Sequence, residues 1–118
     1  MRTLLRFMPK TKTRLVACAA ALLVGGSFIA RAQVGADAEL QYQLATLLYD
    51  ETRYPEALQA FEQAAKAPDK AMAIRARKGV VRSSLKVAEF KHARTEAEQL
   101  RADAPADADA LALYADAL

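Results

Sequence analysis

Apolar residues along the chain recur at helical rather than strand intervals. In Arg53 to Asp69, RYPEALQAFEQAAKAPD, the positions Tyr54, Ala57, Leu58, Phe61, Ala64 and Ala65 repeat every three or four residues, while Glu56, Gln59, Glu62, Gln63 and Lys66 fall between them. This spacing predicts an amphipathic helix of about three and a half turns. Pro55 fits its first turn, where the missing amide has no intrahelical partner, and Pro68 stops it. Upstream, ADAELQYQLATLLYDET carries a second pattern through Leu40, Leu44, Ala45, Leu47 and Leu48, with Asp37 as the expected cap. Glu51, Thr52 and Arg53 leave room only for a tight turn, so the two helices are expected to lie antiparallel, with Ala45 facing Ala57.

The pattern recurs. Tyr54-Pro-Glu-Ala57 is answered 36 residues later by Phe90-Lys-His-Ala93, Ala64 by Leu100, and Pro68 nearly by Pro105. Between them DKAMAIRARKGVVRSSLKV supplies another first helix through Ile74, Val80, Val81 and Leu85, with Val81 where Ala45 stood. After Pro105 the segment ADADALALYADAL begins a further helix through Leu111, Tyr114, Ala115 and Leu118. Helix, tight turn, helix and proline at such a period mark a repeat array.

In LATLLYDETRYPEALQAFEQAAKAPD a small residue in the first helix, an aromatic after the turn, Ala57, Phe61, Ala64 and a closing proline follow one another. This resembles the tetratricopeptide repeat family. The second unit departs from the family pattern where Ala97 replaces a large apolar residue, and the linker Asp69 to Ala73 is expected to hold about two extra residues. The resemblance implies an all-α fold of antiparallel helix pairs, stacked as a short right-handed solenoid of about five helices. Its expected units cover about 38–71, 72–105 and a partial 106–118 within a domain of 37–118, preceded by a short segment 33–36. It also implies protein or peptide binding on the concave face formed by the first helix of each pair. That face would carry Tyr42, Thr46 and Tyr49, with Glu39 and Asp50 at its margins, then Arg75, Lys78, Arg82 and Lys86. A family subgroup clamps chaperone carboxylates with Lys and Asn, but this chain contains no Asn, so that use is not expected.

Charge is segregated. Asp37 to Asp69 holds seven acids and two bases, Lys70 to Arg94 eight bases and one acid, and Thr95 to Leu118 six acids and one base. Either the middle unit offers a basic wall to an acidic peptide, or it complements its acidic neighbours within the fold. Tyr54, Phe61 and Phe90 read as core. Leu111, Tyr114 and Leu118 on the last helix mark a terminal interface that a partner or a second copy would cover, which makes a structural or self-associating assembly subunit the alternative function.

The N-terminus is of another kind. MRTLLRFMPKTKTR, the apolar run Leu15 to Ala30 and the closing ARAQ have the three parts of a secretory signal peptide, with cleavage expected after Ala32. The run is 16 residues, shorter than the roughly 20 a helix needs to cross a bilayer. Removing residues 1–32 leaves 11 basic against 14 acidic side chains, a net charge of −3 in place of +3. The basic balance is therefore a targeting feature and no nucleic-acid signal. The single cysteine, Cys18, leaves with the signal, so neither a disulfide nor a thiolate metal site is expected. Export to a bacterial periplasm follows, without a stable membrane anchor; tethering by an uncleaved signal is the alternative.

No catalytic constellation, cofactor or metal site is expected. His92 is a lone histidine between Lys91 and Ala93, and Ser83 and Ser84 have no base nearby in sequence.

Overall fold

The computed structural model describes residues 33–118; the expected signal peptide falls outside them. Among the described residues there are five helices and no strand. Helix α1 covers 33–50, α2 Tyr54–Ala64, α3 Lys70–Lys86, α4 Phe90–Asp103 and α5 Ala108–Ala117. Each packs mainly on its chain neighbours, α2 on α3, α3 on α4 and α4 on α5, with a lesser contact of α3 with α5. The result is an all-α stacked helical solenoid.

The turns repeat as the helices do. Thr52 and Ala88, 36 positions apart, both take a left-handed φ, 63° and 62°. Around each, two backbone bonds close the preceding helix. Arg53 N donates to Leu48 O and Thr52 N to Tyr49 O, and Glu89 N donates to Ser84 O and Ala88 N to Leu85 O. This is the double closure that usually recruits glycine. Neither site has one, so both turns carry a steric cost that the packed helix pairs offset. Asp69 and Asp107 begin the first helices of the next units, their carboxylates accepting from Met72 N at 3.0 Å and Ala110 N at 3.2 Å.

Two cores lie side by side. Ala45, Leu48, Ala57, Leu58, Ala60, Phe61 and Val80 form the first, and Val81, Ala93, Ala97, Leu100, Ala110, Leu113 and Ala117 the second. Helix α3 is their common wall: the adjacent Val80 and Val81 enter different cores. Where Phe61 crosses α3 the wall is Gly79, and an ideal Cβ there would come within 2.6 Å of Phe61 Cγ. Arg77 ties α3 to α4 through Asp103 and, at 3.7 Å, Glu96.

Several expectations need correction. Leu40, Leu44 and Leu47 face solvent, and α1 instead turns Ala38, Ala45 and Leu48 inward. Two apolar stripes compete on this helix. The inward one contains Ala45, whose small side chain allows close approach to the equally small Ala57. Asp37 is no cap, because α1 already includes 33–36. The linker begins no extra loop after Asp69, since Lys70 to Ala73 are the first turn of α3. Helix α5 buries Ala110, Leu113 and Ala117 rather than the phase through Leu111, Ala115 and Leu118, because it is the former that packs into the core with Val81, Ala93, Ala97 and Leu100. Phe90 is 62% exposed and is not core. Its counterpart Tyr54, half-buried, packs edge-on against Tyr49 at 5.1 Å, while position 85, the counterpart of Tyr49, is a leucine.

Gly79→Ala tests the contact between the units. On helix propensity alone it would stabilise α3 by about 1 kcal/mol. Overpacking against Phe61 should instead lower the unfolding free energy by roughly 1–3 kcal/mol in a urea titration.

Candidate functional site

Helices α1 and α3 lie at the first position of successive units, and a depression between them is lined by Tyr42, Thr46, Tyr49, Asp50, Phe61, Gly79 and Arg82. Four expected binding residues, Tyr42, Thr46, Tyr49 and Arg82, thus share one cavity of about 210 Å³. Helical spacing brings the first three together: positions 42, 46 and 49 lie one above another on α1. Thr46 is held by its hydroxyl, which donates to Tyr42 O at 3.0 Å. Phe61 and Gly79 contribute the buried part of the lining, and the Tyr42 and Phe61 rings meet edge-to-face with centroids 5.7 Å apart.

The other cations of the expected stripe have separate engagements. Arg75 lies over the Tyr42 ring at 4.5 Å and 3.8 Å from Glu39. Lys78 Nζ contacts Asp107 at 2.6 Å and Asp109 at 3.6 Å, and Lys86 lies over Tyr54 at 5.7 Å. Arg82 is exposed and has no ion-pair partner within 4.0 Å among the described residues. Most of these charges of the middle unit therefore meet neighbours within the fold, and Arg82 lines the cavity.

Gly79 is the lining residue that pattern reading passes over. Its signal is a glycine inside a helix, a position that costs stability unless a close approach requires it. His92 is not alone: its Nε2 donates to Glu62 Oε1 at 3.0 Å, joining α4 to α2. These residues are 30 apart and belong to different units, so no helical spacing reveals the pair. Of the expected terminal interface, Leu111 and Leu118 are exposed, whereas Tyr114 is half-buried beneath Arg101, 4.9 Å from its ring centroid. Among the described residues no group of three or more His, Cys, Asp or Glu side chains could hold a metal ion, and no helix is long and apolar enough to cross a membrane.

No family model, curated protein or solved structure matches the chain. The site must therefore be judged on its own geometry.

The contact between Lys78 and Asp107 has a pH signature. The hydrogen bond from Lys78 and, after it, that from Ala110 N hold the Asp107 carboxyl below its ordinary value of 3.8. A carboxyl lowered by folding stabilises the native state above its unfolded value and loses that contribution as pH falls through the folded one. Asp107→Asn should therefore be less stable than the parent at neutral pH, with the gap narrowing in urea titrations at about pH 3 and below.

Proposed function

We propose that this chain is an exported, non-catalytic interaction module, similar to tetratricopeptide repeat proteins, that takes a peptide on its concave face. The observation carrying the reading is the shared cavity of Tyr42, Thr46, Tyr49 and Arg82, drawn from two units. Its volume of about 210 Å³ is below the several hundred Å³ of small-molecule sites and suits one side chain of a larger ligand. Tyrosines supply rigid apolar contact with a polar tip, and a guanidinium fork can grip a carboxylate with two bonds. A peptide with an aromatic or aliphatic side chain beside an acidic one fits both. Export to the periplasm rests on the residues of the first 32 positions.

A second reading, a subunit that self-associates or docks through α5, is favoured by the exposure of Leu111 and Leu118. Sedimentation separates the two: growth with concentration that Leu111→Glu abolishes belongs to the second.

Fluorescence anisotropy with a labelled Asp-Tyr-Asp peptide and an Asn-Tyr-Asn control tests the first. Charge-assisted hydrogen bonds contribute about 1.5–3 kcal/mol, so Arg82→Glu should weaken the acidic peptide by at least about tenfold. Arg82→Lys should retain part of the affinity. Equal binding of both peptides, or binding indifferent to Arg82→Glu, removes the proposal.

A further inference from the structure

The leucines that α1 turns outward occupy meaningful places in the repeat. Carried forward by the 36-residue offset of the two left-handed turns, Leu40, Leu44 and Leu47 coincide with Ala76, Val80 and Ser83 of α3. Those three are 0%, 1% and 0% exposed, on the helix that α2 stacks against. Their counterparts on α1 are 63%, 45% and 57% exposed. The stripe that α3 buries is therefore present on α1 as well, and there it is exposed.

The opening is shaped as well as apolar. Two depressions, of about 410 and 370 Å³, run between α1 and α2 and share Gln41 and Gln63, so they form one groove. Its apolar lining includes Val34, Ala38 and Leu40 in one half and Leu44, Leu48 and Ala60 in the other. From Val34 to Leu48 the groove follows α1 for about 21 Å, the length of roughly four helical turns.

Charge identifies the occupant. Residues 33–50 contain three acids, Asp37, Glu39 and Asp50, and no base. The groove is lined by Asp37, Glu56 and Glu62 against Lys66 alone. Glu56 pairs with Arg53 and Glu62 is hydrogen-bonded to His92, whereas Asp37 has no ion-pair partner among the described residues. A second copy of α1 would bring like charge to this rim.

We propose that the α1–α2 groove seats a basic amphipathic helix of a partner protein, with large apolar residues at helical spacing against Leu40 and Leu44 and Lys or Arg along its flanks. This surface is separate from the concave cavity and does not depend on it.

The test uses the full chain and two labelled synthetic helices of 18 residues, one of leucine and lysine at amphipathic spacing and one with glutamate replacing lysine. The lysine helix should bind and the glutamate helix should not. Leu40→Glu with Leu44→Glu should weaken the lysine helix at least about tenfold, because apolar contact is lost. Simple charge attraction predicts the reverse, since two added acids would tighten binding. Arg82→Glu, in the concave cavity, should leave this binding unchanged. Equal binding of both helices, tighter or unchanged binding to the double variant, or a dimer in sedimentation that the lysine helix does not dissociate would each overturn the proposal. Both leucines are exposed, so the variant should keep its circular dichroism; should helicity fall, Leu40→Gln carries the same comparison.

Discussion

Phe61 against Gly79 is the contact on which the stack depends. A helical glycine sacrifices stability that alanine would supply, and here the missing Cβ is the space the ring occupies. The ring brings α2 against α3 and leaves Val80 in one core and Val81 in the other. Burying such a side chain contributes on the order of 2–3 kcal/mol, a large share of what a domain of this size retains after its entropy losses. Helix α3 is consequently the element without which neither core closes.

The same contact shapes the cavity between α1 and α3. Tyr42 packs edge-to-face with Phe61 of α2, and Gly79 and Arg82 sit three residues apart on α3, so α3 supplies both part of the buried lining and its cation. A site built on helices that are fixed by packing holds its groups with little cost in ordering them on binding. The surrounding cations are held by acids and rings, which leaves Arg82 as the cation that lines the cavity, together with the Asp50 carboxylate.

Much of this was legible in the sequence, and the failures have physical causes. The turns at Thr52 and Ala88 and the helix pairs follow from period and spacing, whereas the division of Val80 and Val81 between two cores emerges only in the packing. Phase was harder. On α1 two apolar stripes are available, and the one that is buried carries Ala45 and Leu48 into the core that holds Ala57 and Phe61. On α5, rich in alanine, the pattern is weak and packing against the second core selects the buried face. Phe90 sits where the repeat places a core aromatic, yet it lies 62% exposed. The engagements of Lys78 and His92 join residues about 30 apart in different units, beyond the reach of any single-helix pattern.

Native-state hydrogen exchange is the most direct test of α3 as the common wall. Because both cores must open to release it, amides from Ala76 to Ser84 should exchange only through global unfolding, with protection equal to the full unfolding free energy. Those of α5 should exchange through smaller openings. Protection in α5 matching or exceeding that of α3, or exchange of the α3 amides through a local opening, would contradict the account.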